Sequence, residues 1–211
     1  FVVGFTATPQ RLDGKPLKIL YDEIYQCGSV KNLTAEGFLV PVRYKYKAVN
    51  TSGLKLRGKD YDEKEMYQSI YKRGAIHDGI VDDYFEYAEG LKTLVFCCNI
   101  EHAQTLAAEF SAMGLVARSL TSKDSSVYRK ELLQQFADSK IDILTNCGVL
   151  TTGYDCPSVQ CVLLARATQS LVLYLQMIGR GTRPSANKDH LLVLDYGNNV
   201  ASFGRIDIDR Q

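Results

Sequence analysis

From residue 91 onward, short apolar runs alternate with stretches whose apolar positions recur every three or four residues. The runs at 93–98, 116–120, 141–145, 159–165 and 191–194 are continuous rather than alternating. That pattern predicts strands buried on both faces. Between them, 99–113, 126–137 and 171–179 predict amphipathic helices. Ala103, Leu106, Ala107 and Phe110 share one face of the first, and Leu132, Leu133 and Phe136 one face of the second. Strands and helices in this order imply an α/β fold: a parallel sheet with helices on both faces.

The first ninety residues read differently. Residues 1–5 look like the end of a buried strand running into Thr6-Ala7-Thr8-Pro9, and 10–20 have linker chemistry, with Gly14 and Pro16. A helix is expected over 29–37, capped by Ser29 and stopped by Gly37. Over 40–49 the chain alternates, with Val42, Tyr44, Tyr46 and Ala48 on one side and Arg43, Lys45 and Lys47 on the other. This predicts a half-exposed strand with a basic outer face. Residues 50–60 read as a polar loop carrying Lys55, Arg57 and Lys59. A solvated charge run is the preferred reading there, and a phosphate-backbone contact the alternative. Residues 62–89 read as helical with a break near 74–78, their aromatics serving as core rather than as base-stacking platforms.

Composition narrows the class without choosing a function. The chain has 211 residues, 45% of them hydrophobic, and a net charge of +1. It can bury a core, and any polyanion site must be a local patch. No apolar run approaches the ~18 residues that cross a bilayer. The six cysteines form no C-x-x-C pair, which argues against zinc and for reduced thiols in a cytoplasmic protein. Phe1 stands inside an apolar run, so the chain is expected to be cut from something longer.

The candidate chemistry lies where strands end. Asn99, Thr121-Ser122 and Thr145-Asn146, the last followed by Thr151-Thr152-Gly153-Tyr154-Asp155, replace hydrophobic continuations. In a parallel sheet such ends open on one edge, where ligands gather. The segment after Ala165-Arg166, leading to Gln176-Met177-Ile178-Gly179-Arg180-Gly181-Thr182-Arg183-Pro184, is expected at the same edge. On a helix, Gln176, Arg180 and Arg183 would share a face. Two guanidinium forks about a turn apart suit a polyphosphate. Gly153 would let backbone approach a ligand, and Asp155 would accept from a sugar hydroxyl.

The order T-A-T-P, L-V-F-C, I-L-T-N-x-x-x-L-T-T-G-x-D and Q-x-x-G-R-x-x-R resembles the conserved blocks of superfamily 2 helicases. These correspond to motif III (6–8), motif IV (94–98), motif V (144–155) and motif VI (176–183). The tail from Leu194 to Val200 resembles that of RadD-like bacterial DNA helicases. The resemblance implies a RecA-like, P-loop-NTPase-like helicase C-terminal domain over 17–211. Residues 1–16 would be the end of a first RecA-like domain plus a linker. The phosphate-binding loop and the carboxylates that hold Mg²⁺ would lie in that first domain, upstream of Phe1.

By the same resemblance, Arg183 would be the arginine finger on ATP, Arg180 a second cation, and Gln176 an orienting amide. Gly153, Asp155 and Gly179 would face the nucleotide or the domain seam. Thr121, Asn146 and Thr151, with Asn99 beside them, would touch a nucleic-acid backbone, DNA in preference to RNA. Two alternatives stand beside the motor: a non-catalytic nucleic-acid- or protein-binding domain on the same fold, and a dinucleotide enzyme. The second lacks G-x-G-x-x-G after its first strand.

Overall fold

The computed structural model describes residues 4, 19, 21–25, 28–72, 76–151 and 154–208, and at 76–78 the backbone alone. Motif III and the 1–16 stub therefore lie outside the described residues, apart from Gly4, as do Thr152 and Gly153.

Six parallel strands form the sheet, in the order β1-β8-β7-β4-β6-β5. They are β1 (Val42–Tyr46), β4 (Thr93–Cys97), β5 (Ala117–Leu120), β6 (Ile143–Asn146), β7 (Cys161–Ala165) and β8 (Leu191–Asp195). β4, β6, β7 and β8 are buried at every position, as their unbroken apolar runs require. Successive residues feed opposite layers: Val95 and Cys97 pack on one side, Leu94 and Phe96 on the other.

α3 (Ile76–Tyr87) and α4 (Ile100–Ala112) cover the first side, through Ile80, Tyr84, Leu106 and Phe110. The second side takes α5 (Ser126–Ala137) and α6 (Leu171–Gly179), through Leu132, Phe136, Tyr174, Met177 and Ile178. This is the RecA-like α/β architecture read from the sequence. Polar side chains start the helices at the expected places. Ser29 caps α1 (Val30–Ala35), Asn99 caps α4, Ser125 caps α5 and Ser170 caps α6, each accepting from a backbone N–H three residues on.

The region before residue 91 departs from expectation in three places. The polar loop at 50–60 contains a hairpin, β2 (Leu56–Arg57) paired with β3 (Asp60–Tyr61). Gly58 at φ 70° opens its two-residue turn, the position where a hairpin turn of this length favours glycine. The helix expected from residue 62 begins as α2 (Glu63–Met66) under an Asp62 cap, then widens into a π-helix over Tyr67–Tyr71. Its aromatics are core: Tyr67 and Tyr71 are buried against His102 at ring distances of 5.2 and 4.5 Å. Finally, Tyr46 is exposed rather than inward-facing, because β1 is an edge strand and Tyr46 ends it.

After β8, Asp195 is fully buried and accepts from the backbone N–H of Gly197 and Val200 and from Asn199 Nδ2. These bonds set the short α7 (Asn199–Phe203). Burial still pushes the Asp195 carboxyl upward against them.

Candidate functional site

α6 decides where the arginines lie. It starts beside the carboxyl end of β7 and runs back along the sheet, as a helix following a parallel strand must. Gly181, just beyond it, sits against the first residues of two strands: a Cβ there would meet Leu191 Cδ1 at 2.5 Å and Val162 Cγ2 at 3.1 Å. The Thr182 carbonyl accepts from Val40 N at 2.8 Å, just ahead of β1. Arg180 and Arg183 therefore lie toward the amino ends of the strands, not on the rim with Asn99 and Thr121. The expectation that all candidates share one edge is corrected: a helix of this length carries its C-terminal residues away from the edge where it begins.

The two arginines differ in environment. Arg180 caps α6 and is partly buried. Its Nη1 donates to the Tyr154 carbonyl at 2.5 Å and its Nη2 to the Thr151 carbonyl at 3.0 Å. Burial, then the neighbouring Arg183 charge, lowers its pKa from the ordinary value. Arg183 pairs instead with the Asp155 carboxylate, and both stay open to solvent, at 45% and 62% side-chain exposure. The two motif blocks thus meet through Arg180 on motif V carbonyls and Arg183 on the motif V carboxylate. Gln176 lies half-buried one turn back on α6. Gly179 ends that helix, with nothing within 4 Å of where a Cβ would stand.

A residue not singled out from sequence completes this corner. Lys188 is buried, and its Nζ donates to the carbonyls of Gly181 (2.5 Å), Arg183 (2.9 Å) and Pro157 (3.0 Å). Burial pushes its ammonium down to about 8. The available signal was a lysine five residues past an arginine motif, which spacing alone does not distinguish from a surface charge.

The opposite edge holds the polar strand ends. Asn99 is half-buried and its side-chain oxygen is occupied as the α4 cap, accepting from His102 N at 2.7 Å. Thr121 is buried, with its N–H and hydroxyl both donating to Asp124, so the exposed Ser122 and Lys123 face solvent in its loop. Asn146 is fully buried in β6 and donates to the Val95 carbonyl at 2.8 Å. It ties β6 to β4 and does not stand on the rim as expected. Thr151 does not stand with Asn99 and Thr121 as expected: it is half-buried and its carbonyl is engaged by Arg180 beyond the far end of α6. Gly153 falls outside the described residues.

This sheet, with a motif V loop clasped by motif VI arginines, defines a class. A model of the helicase conserved C-terminal domain matches residues 76–185, just over half the chain. The chain belongs to that family, the C-terminal domains of superfamily 2 helicases. A Saccharomyces cerevisiae protein named as the ATP-dependent helicase IRC3 is 30% identical over 92% of this chain and 29% of its own length. Its Schizosaccharomyces pombe namesake, named as a mitochondrial ATP-dependent helicase, is 34% identical over 92% of this chain and 32% of its own length. A fragment structure described as an HsdR subunit of a type I restriction enzyme from Vibrio vulnificus superposes with a TM-score of 0.76. It is 26% identical, over 97% of this chain and 41% of that one. The chain spans only 29–42% of the first curated relatives it matches. Among the described residues, no helix is long and apolar enough to cross a membrane.

Proposed function

We propose that residues 17–211 are the second motor domain of an ATP-dependent helicase or translocase acting on nucleic acid, DNA in preference to RNA. Residues 1–16 are then the end of the first motor domain and a linker. The single observation that carries this reading is the division of labour between the arginines. Arg180 is held on motif V carbonyls, while the exposed Arg183 guanidinium pairs, among the described residues, with the solvent-facing Asp155 carboxylate.

The donor set fits a polyphosphate. Two guanidiniums lie close enough for one to depress the pKa of the other, and a nearby anion relieves that repulsion. Gly179 leaves open space beside them. ATP, bound mainly by a neighbouring RecA-like domain that also holds Mg²⁺, supplies the phosphoryl group. Arg183 is the arginine finger, donating to phosphate oxygens and stabilising the charge that builds there. Arg180 positions the motif V backbone beneath it, and Gln176 presents its amide from the preceding turn. Asp155 holds Arg183 in place before a phosphate takes over. On the far edge, the loops beginning at Asn99, Thr121 and Asn146 present backbone and hydroxyl donors to a nucleic-acid strand.

An arginine finger contributes about 10³–10⁵ in rate. Arg183→Ala in the full-length protein should abolish ATP turnover and leave nucleic-acid binding largely intact. Unchanged turnover removes the assignment. The 211-residue chain alone should not hydrolyse ATP, since half a site supplies half the contacts. Mg²⁺-dependent turnover by it would show that the site does not need a second domain. If the full-length variant and wild type are both inert with every nucleic acid offered, the non-catalytic binding domain is the correct alternative.

A further inference from the structure

The β2–β3 hairpin is absorbed neither by the sheet nor by either motif cluster. Its strands are too short to stand alone, yet it is anchored at its base. Asp60 accepts from Thr168 Oγ1 at 2.7 Å and from Gln169 N at 2.8 Å, and pairs with buried Arg166 at 3.5 Å. Gln169 Nε2 also meets the Tyr61 hydroxyl, and Glu65 accepts from Lys55 N. Residues 166–170 follow β7, so the hairpin is fixed over the carboxyl end of β7. Sheet order then places it in line with the proposed strand contacts: β7, β4 with Asn99, β6, and β5 with Thr121. The segment after the hairpin crosses to the same place, where Lys72 pairs with Glu101 in the first turn of α4.

The tip has one chemistry. Lys55, Arg57 and Lys59 fall within five residues and are all exposed, with no acid among 50–59. Arg57 stands opposite Asp60 in the ladder, where an opposite charge would ordinarily neutralise it. Asp60 is turned inward to the 166–170 loop instead, which leaves the basic tip facing outward. Leu56 is 60% exposed between the cations. A chain of net charge +1 thus concentrates positive charge and one apolar side chain on a rigidly docked projection.

We propose that the 55–59 tip is a nucleic-acid contact. Lys55 and Arg57 engage backbone phosphates of a single strand that continues along the carboxyl edge past Asn99 and Thr121, and Leu56 lies against a base. The proposal rests on the helicase reading above. The occupant is a single strand and not another protein domain because the tip offers clustered cations around one exposed apolar side chain, Leu56. A polyphosphate chain needs that balance, and a stable domain interface does not supply it.

The test uses the full-length protein and a short fluorescein-labelled oligothymidylate, with binding followed by anisotropy across a salt series. For single strands, log K falls with log[salt] by about 0.7 per phosphate contact. The double variant K55A/R57A should therefore bind more weakly, with a slope shallower by about 1.4 and an unchanged melting temperature. A slope and affinity equal to wild type overturn the hairpin assignment while leaving the helicase reading in place. Wild-type protein that binds no oligonucleotide at any salt removes both. A second variant, Asp60→Ala, separates placement from charge. It leaves Lys55 and Arg57 intact and raises net charge, so bulk attraction predicts tighter binding. A docked contact predicts weaker binding, and tighter binding would overturn it.

Discussion

The Lys188 ammonium donates to the Arg183 carbonyl oxygen at 2.9 Å, and the same nitrogen reaches the Gly181 and Pro157 carbonyls. A buried cation thus fixes the backbone on both sides of Thr182 and joins it to the segment after motif V. The backbone that carries Arg183, the proposed finger, is thus held by a buried lysine rather than by its own side chain.

Lys188→Met should leave three carbonyls short of a donor and cost on the order of 1–3 kcal/mol, read by chemical denaturation. The effect has a pH signature. The unfolded chain keeps the lysine proton to the ordinary 10.5, the folded chain only to about 8. Between those values the unfolded state binds more protons, so wild-type stability rises with pH relative to the variant. That gain disappears as pH falls through 8. A pH-independent difference would show that Lys188 titrates normally.

Asp155→Asn should change stability little, about 0–1 kcal/mol, because its pair with Arg183 is solvent-exposed. Its effect should appear in the full-length protein as altered apparent affinity for nucleotide, since Arg183 is released from its resting partner. A variant with wild-type nucleotide affinity would argue that the pair plays no part in the resting site.

Arg180→Lys should behave as a loss rather than a conservative exchange. One ammonium cannot reproduce a planar fork that meets two carbonyls separated in the chain. Lower melting temperature together with lower ATP turnover is expected. Full turnover with a normal melting temperature would show that the clasp is dispensable.

Gly197→Ala should destabilise by about 1–3 kcal/mol through overpacking. An added Cβ would collide with the Arg166 carbonyl and with Asn199 Nδ2, the groups that join the end of β7 to the turn after β8. Thermal unfolding reads this directly, and an unchanged midpoint would mean the turn relaxes freely.

The sheet, its order of elements and most helix starts were legible because continuous apolar runs and capping residues act locally. Ser29, Asn99, Ser125 and Ser170 cap where a helix pattern begins. The hairpin at 56–61 was not legible: two-residue strands carry no periodicity, and only Gly58 marks the turn. Nor did periodicity reveal the π-helix, whose Tyr67 and Tyr71 pack onto His102, a residue distant in the chain. The geometry of the candidate site was legible in part. Motif spacing picked out Arg180 and Arg183 but not which one is spent on backbone, because that depends on a loop brought in from residues 151–154. Asn146 looked like a rim residue by type, yet register pairs it with Phe96 and points its amide at a core carbonyl.

The direction of α6 has a metric consequence. Its nine residues span about 13 Å at about 1.5 Å per residue, and that rod sets the spacing between the hairpin's docking loop and Arg183. Adding or deleting one residue inside it would swing Arg183 by about 100° around the rod's axis, carrying the guanidinium off Asp155 while the docking loop stayed put. The length of this helix is therefore a gauge between two surfaces, and an insertion within it should be far more damaging than a substitution.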